Sequence, residues 1–404
     1  MGSSPIVIAP HILLPRPGID LHKFSVIACD QFTSQPEYWR DLEHLIGEAP
    51  STLRMIFPEA YLDSVDGKTY INGINGTIAA YLKTGVLKDI GAGFVLVERS
   101  TPYVKRRLGL MIAIDLESYS FEKGAPTPIR ASEATIVARI PPRLKIRENA
   151  PIEIPHVLVL FDDPNDGIIG PIYEKKAELP LVYDFELNQN GGRLRGYHIK
   201  DTTAIIQKFN DLKEKNGLMF IVGDGNHSLA TAKAHWDKIK LSLSPEERLT
   251  HPARHSLVEA INIHDEGLKF EPIHRVVFGA TMDFIGALKA ILFGTHEGYW
   301  YSKGSGRQPL MMPSNGPLAY KIVQDHIDRY LKDHPQAHVD YIHGIADLEE
   351  VADGNEGAIG IVMPALTKGD IFDYIAKGDV LPRKCFSMGH AVEKRYYLEA
   401  KTIK

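Results

Sequence analysis

Leu218-Met219-Phe220-Ile221-Val222-Gly223-Asp224-Gly225-Asn226-His227-Ser228 is the stretch on which the reading of this chain turns. Five apolar residues in an unbroken run suit a central strand buried on both faces. Two glycines then flank Asp224, and beyond Asn226 the apolar residues Leu229, Ala232 and Trp236 share one helical face. The segment is therefore expected to be strand, tight turn and helix. Glycine lets backbone N–H groups come close to a ligand, and a helix N-terminus adds unpaired donors and about half a positive charge. A phosphate or carboxylate is the expected guest of Gly223, Gly225 and Asn226.

The side chains of the turn add chemistry. Asp224 can accept a proton or hold a metal, His227 can move a proton near neutral pH, and Ser228 can donate to a phosphate oxygen. Each also has a plainer role: Asp224 ordering the turn, Ser228 capping the helix, and His227 as one structural histidine among 17. The spelling is neither the dinucleotide fingerprint nor the P-loop, since it lacks a third spaced glycine and a Gly-Lys-Ser/Thr ending.

Outward from the turn, 404 residues with 44% hydrophobic content can bury real cores, and domains of roughly 100–200 residues give two or three of them. The expected division is an N-terminal α+β domain over 1–155, a core domain carrying the turn over 156–278, and a C-terminal α/β domain with a closing loop over 279–404. A net charge of -5 and a pI near 6.4 leave no electrostatic footprint for nucleic acid. Cys29 and Cys385 are too far apart for a CxxC motif and too few for a disulfide framework, which fits a reducing cytoplasm. No apolar run approaches the ~18 residues of a membrane span.

Strands are expected within 5–14 and 24–29, a helix over 37–46, and paired strands over 94–98 and 108–116. Pro141-Pro142 should open a helix that places Arg143 and Arg147 one turn apart. Like charges at that spacing repel by a few tenths of a kcal/mol, which an anion between them would relieve and water would screen. A strand at 157–161, a hairpin of 182–187 with 194–199, and a helix from Thr202 or Thr203 to Asn216-Gly217 lead into the central strand. Later strands are expected near 256–263, 276–278, 299–301, 318–322, 338–342 and 358–363, with helices near 284–292, 324–331 and 371–376. This mixing argues for an α/β or α+β architecture with mixed sheets.

Several motifs in order resemble a large family of proteins of unknown function, DUF1015. They are the Gly-Asp-Gly-Asn-His-Ser turn, Arg130-Ala131-Ser132-Glu133-Ala134-Thr135, Gly267-Leu268 through His274-Arg275, Met363-Pro364, and Leu381-Pro382-Arg383-Lys384. Family members carry an Ala-Asp-Gly-His-His-Arg type sequence at the turn, and that turn is similar to one in free serine kinases related to ParB and sulfiredoxin proteins. There it cradles nucleotide phosphates, and a separate glutamate serves as base.

The resemblance implies a ParB/sulfiredoxin-like strand-turn-helix core and a nucleotide-dependent kinase of a small hydroxylated metabolite, free serine or a similar amino acid, working with Mg2+ and ATP or ADP. Ser228 and Asn226 replace the family's arginine and first histidine, so one phosphate-binding cation is missing. Arg130, Arg139, Arg143 or Lys384 would supply it, with His274 and Arg275 as a further cationic pair. Glu133 is the candidate base, Asp30 its rival, and Asp224 the candidate magnesium ligand. His390, Glu393 and Lys394 are a candidate polar network near the C-terminus. The expected partners are a small-molecule substrate and a nucleotide, with neither nucleic acid nor membrane, and the reading admits a homodimer. Two other functions compete: a ParB-like nucleotide-binding regulatory module without phosphoryl transfer, and a metal-dependent phosphohydrolase using Asp224 and His227.

Overall fold

Apolar runs from the first two thirds of the chain are gathered into one sheet. The computed structural model describes residues 5–62 and 64–404, with the backbone alone at 214–216. The strands are β1 (Val7–Ile8), β2 (Phe94–Ser100), β3 (Arg107–Asp115), β4 (Tyr119–Ser120), β5 (Ile129–Ala131), β6 (Leu158–Phe161), β7 (Leu181–Leu187), β8 (Gly192–Ile199), β9 (Phe220–Asp224) and β10 (His255–Asn262). They form a ten-stranded sheet in the order β7-β8-β2-β3-β10-β6-β9-β5-β4, and β1 also pairs with β3. The central strand β9 runs parallel to β5, with Ile221 opposite Arg130, and antiparallel to β6, so the sheet is mixed.

Alternation along the strands feeds two cores, because successive side chains point to opposite faces. Phe94 and Leu96 of β2 join one cluster with Phe220, Val222, Leu229 and Trp236. Val95 and Val97 join another with Trp39, Ile74, Ile78 and Tyr397. The helices that position the site are α1 (Pro36–Ile46), α2 (Gly67–Lys83), α3 (Ile140–Arg147), α4 (Thr203–Asn216) and α5 (Asn226–Ile239). α4 stops at Gly217, which takes the left-handed conformation expected of a C-terminal glycine.

A second sheet is built from β11 (Phe270–Phe278), β12 (His296–Ser302), β13 (Gly306–Met312), β14 (His338–His343) and β15 (Ile359–Val362), in the order β13-β12-β15-β11-β14. β16 (Phe386–Met388) also pairs with β11, and every pairing here is antiparallel. Its helices are α6 (Met282–Ile291), α7 (Gly316–Asp333), α8 (Ile345–Gly354) and α9 (Lys368–Ala376).

The chain divides into two compact units. One runs through Ala131 and adds Thr135–Leu268 and His390–Lys404; the other is Ser132–Ala134 with Lys269–Gly389. Three consecutive domains were the expectation, and the sheet explains the difference. β3 pairs with β10 and β10 with β6, so 1–155 and 156–278 share one set of ladder hydrogen bonds. The last fifteen residues return to the first unit, where Ala28 N–H donates to Arg395 O at 2.9 Å and Tyr397 N–H to Val26 O at 2.8 Å.

Two expected strands are corrected. Residues 24–29 hold the end of a helical turn, Leu21–Phe24, and then a single bridge from Ile27 to Tyr396. Residues 318–322 lie inside α7, because Asn315 accepts the Leu318 N–H at 2.9 Å and starts the helix, while Ala319, Tyr320, Val323 and Ile327 bury one helical face. Among the described residues no helix is long and apolar enough to cross a membrane.

The step from β9 into α5 depends on Gly225, whose φ is +79°. A Cβ there would sit 3.0 Å from Val157 Cα and 3.1 Å from its Cγ2. Gly225→Ala combines that crowding with left-handed backbone strain, so a loss of about 1–3 kcal/mol is expected in denaturant unfolding; an unchanged midpoint would refute this account of the turn.

Three buried histidines set an acid limit. Burial pushes His235, His255 and His274 each down to about 4. Above pH 6.5 the rings are neutral in both folded and unfolded chains. As pH falls below that value the unfolded chain takes up protons that the folded rings refuse until about pH 4, so stability is lost across this window. The loss should be on the order of 1–3 kcal/mol per ring at the acid end. Thermal unfolding midpoints that stay flat from pH 7 to about pH 4 would contradict it.

Candidate functional site

α5 begins without a side-chain cap. Gly225 is its N-cap, and the first helical hydrogen bond is Leu229 N–H to Gly225 O at 3.0 Å. The N–H groups of Asn226, His227 and Ser228 therefore have no acceptor within the helix. Asn226 Oδ1 is buried and accepts no hydrogen bond. Asp224 does two things at once: Oδ1 accepts the Gly225 N–H at 2.9 Å, and Oδ2 lies 3.2 Å from Lys394 Nζ, both side chains being mostly buried.

Lys394 is thus a cation at the turn, one that sequence reasoning placed only in a C-terminal polar network. Its backbone is held by buried Arg99, which donates to the carbonyls of Val392 at 2.7 Å, Glu393 at 2.9 Å and Lys394 at 2.6 Å. Glu393 accepts Thr101 Oγ1 at 2.7 Å and the His390 N–H at 2.9 Å. No local pattern links Arg99 to 392–394; strand β2 carries it there.

On the side of the turn bearing Ser228, a chain of polar groups runs through His156, a residue with no motif around it. Ser228 Oγ lies 3.0 Å from His156 Nε2, and His156 Nδ1 lies 2.7 Å from the Tyr397 hydroxyl. The Tyr397 hydroxyl donates to Cys29 Sγ and accepts the Cys29 N–H, each at 3.2 Å. Asp30 Oδ2 is 3.8 Å from His156 Nε2. Burial alone would raise the Asp30 carboxyl, but His156, the Gln31 amide and Lys394 outweigh it and hold the group below the usual carboxylate value. Burial and neighbouring Asp30 push the Cys29 thiol up to about 12, so it is protonated and unreactive.

Ser228, His156, Tyr397 and Cys29 line a cavity of about 170 Å³. Met55, Phe57, Ile74, Ile78, Ile146 and Ile152 supply its apolar wall. Arg143 and Arg147 also line it, and each has its own carboxylate: Arg143 pairs with Glu59, and Arg147 with Glu153 at 2.5 Å. Each arginine thus faces a carboxylate, which offsets the repulsion that an anion between them would relieve.

The other expected residues are placed as follows. Arg130 Nε donates to Thr127 O at 2.9 Å on the strand beside β9, and Arg139 stays exposed, its carbonyl accepting Arg143 at 3.0 Å. His227 Nε2 accepts the Ile136 N–H at 3.2 Å, so in this arrangement that nitrogen carries no proton and the ring ties down the 135–139 segment. Glu133, His274, Arg275 and Lys384 belong to the second unit. There Glu133 bridges to Leu381, and it adds to the burial that raises the Cys385 thiol. His274 Nδ1 accepts the Met363 N–H at 3.1 Å. Arg275 is fully buried between Tyr320 and Tyr341, at 4.8 and 5.3 Å from their ring centroids. Lys384 is exposed in a left-handed conformation, with φ +56°.

Asp224, the expected magnesium ligand, spends both oxygens on Gly225 and Lys394. Among the described residues no three metal-ligating side chains are gathered in one place. These residues do not fit a magnesium held by the protein alone, which takes octahedral oxygen ligands.

No curated protein matches the chain. Among solved structures it is similar to a free serine kinase in complex with AMP, at 11% identity and a TM-score of 0.39, over 73% of this chain and 91% of that one. It is also similar to a conserved hypothetical protein from Pyrococcus furiosus, at 12% identity and 0.37, over 71% and 90%. SbnI with a C-terminal truncation from Staphylococcus aureus gives 11% and 0.37, over 69% and 82%. The sequence profile of DUF1015, described as a protein of unknown function, matches residues 13–342, which is most of the chain. This protein belongs to the DUF1015 family.

Proposed function

We propose that this protein is a nucleotide-dependent phosphotransferase whose acceptor is a small hydroxylated metabolite such as free serine or a similar amino acid, built on a ParB/sulfiredoxin-like strand-turn-helix core. The observation that carries the reading is the uncapped start of α5 beside the Asp224 and Lys394 pair, with the ionised Asp30 near by. Phosphoryl transfer is mostly positioning and charge neutralisation, together with a carboxylate that orients or deprotonates the acceptor. The first-turn N–H groups and Lys394 meet the phosphate charge, and the buried Asn226 Oδ1 awaits a donor from the ligand. Asp30 is the proposed base. Magnesium enters with the nucleotide phosphates, and no step is assigned to a protein-held ion.

The assay is incubation of the full chain with ATP, ADP or pyrophosphate and magnesium, with and without a pool of hydroxy amino acids. Acceptor-dependent appearance of a phosphorylated product is expected. Nucleotide that binds without turnover, or is hydrolysed at the same rate without acceptor, would sink the proposal. Asp30→Asn should lower transfer at least ~100-fold, as for loss of a general base, while Glu133→Gln leaves it nearly unchanged; the reverse pattern moves the role to Glu133. Lys394→Met removes a charged hydrogen-bond donor worth about 1.5–3 kcal/mol, so nucleotide Kd measured by calorimetry should rise about 10- to 100-fold. A Kd within twofold of the parent would exclude Lys394 from the phosphate site.

A further inference from the structure

Phosphoryl transfer draws on Asp224, Lys394, Asp30 and the first-turn N–H groups of α5, and leaves the side chains of Ser228, His156 and Tyr397 unused. Ser228, His156 and Tyr397 face the cavity of about 170 Å³, while Asp224, Lys394 and Asp30 are not part of its lining. A hydroxyl, an imidazole in hydrogen-bond reach of it, and a third group orienting that imidazole make up the arrangement that activates a nucleophile.

The hydrogen bonds set the direction of the relay. The single Tyr397 hydroxyl proton goes to Cys29 Sγ, so its oxygen is left to accept from Cys29 N–H and from His156 Nδ1–H. With the imidazole proton on Nδ1, Nε2 is an acceptor and takes the Ser228 hydroxyl proton across 3.0 Å. The near-perpendicular contact of the His156 and Tyr397 rings, 82° at 5.6 Å between centroids, limits rotation of the imidazole. Asp30 Oδ2, 3.8 Å from Nε2, stabilises the imidazolium once the proton has moved. Ser228 lies in the first turn of α5, where the positive end of the helix meets negative charge developing on a carbonyl oxygen.

We infer that Ser228 is a nucleophile activated by His156, with Tyr397 as a positioning residue, in a second site that transfers short aliphatic acyl groups from esters or thioesters. In the first step Ser228 Oγ bonds to the carbonyl carbon and its proton passes to His156 Nε2. The bond from that carbon to the leaving oxygen or sulfur then breaks, and Nε2 returns the proton to the departing alcohol or thiol. Water, deprotonated by the same nitrogen, then bonds to the acyl carbon; the bond from that carbon to Ser228 Oγ breaks, Nε2 returns the proton to Oγ, and the acid leaves. The acyl chain occupies the apolar wall formed by Met55, Phe57, Ile74, Ile78 and Ile146. An apolar cavity of about 150 Å³ accepts a six-carbon ring, so a chain of about four to six carbons matches the space.

The test uses the full chain with a butyl fluorophosphonate, followed by peptide mass spectrometry, and with 4-nitrophenyl butanoate as a turnover probe. The expected result is one adduct on Ser228, no adduct in Ser228→Ala, and labelling and hydrolysis at least ~100-fold slower in His156→Gln. Ile74→Trp, which fills the apolar wall, should slow the butanoate ester more than the acetate ester. The parent chain decides the matter without any variant: no adduct, or an adduct on a residue other than Ser228, overturns the inference. His156→Gln that folds as the parent does and labels at the parental rate overturns it as well. Neither result bears on phosphate transfer, which is read separately with nucleotide.

Discussion

Arg395, buried to 3% exposure, sits between the carboxylates of Glu259 and Glu399, and the site depends on that interaction. Burial disfavours the guanidinium charge, but Glu399 and Glu259 outweigh it and hold the proton more tightly than in an ordinary arginine. Removing one partner of such a group leaves an unpaired buried charge, at a cost of roughly 3–5 kcal/mol. Room for the arrangement comes from Gly109 on β3, where a Cβ would lie 2.5 Å from Glu259 Oε1. The charge cluster ties a segment near the end of the chain to the middle of the large sheet, through Glu259 on β10.

Two consequences follow along that segment. One residue before Arg395, Lys394 reaches Asp224 because Arg99 holds the carbonyls of 392–394. Two residues after it, Tyr397 reaches His156 and Cys29. The segment carries one side chain to Asp224 and another to the His156–Ser228 pair at the start of α5. Both sides of the candidate site are thus assembled from residues near 30, 156, 224–228 and 394–397. The cost of closing such distant loops is met by buried apolar contacts: Tyr396, Tyr397 and Leu398 are each 2% exposed or less within the core that also holds Trp39 and Ile78.

The turn itself was legible without coordinates, because an apolar run, two glycines and a helical repeat are local patterns, each enforced by steric or burial rules over a few residues. The same holds for β2, β3, the β7–β8 hairpin, α1 and the helix opened by Pro141. α2 escaped notice because its three glycines and β-branched residues have poor helical propensity, and only the burial of Ile74 and Ile78 one turn apart reveals its inward face. Residues 318–322 looked like a strand since a short apolar run has no period of its own, and the Asn315 cap with the buried face of α7 decided the matter. His156, Lys394 and the pairing of Arg143 with Glu59 were out of reach of any local pattern. Their partners lie tens to hundreds of positions away, and which charges meet is settled only when the sheet order and the returning C-terminal segment bring them within hydrogen-bond distance.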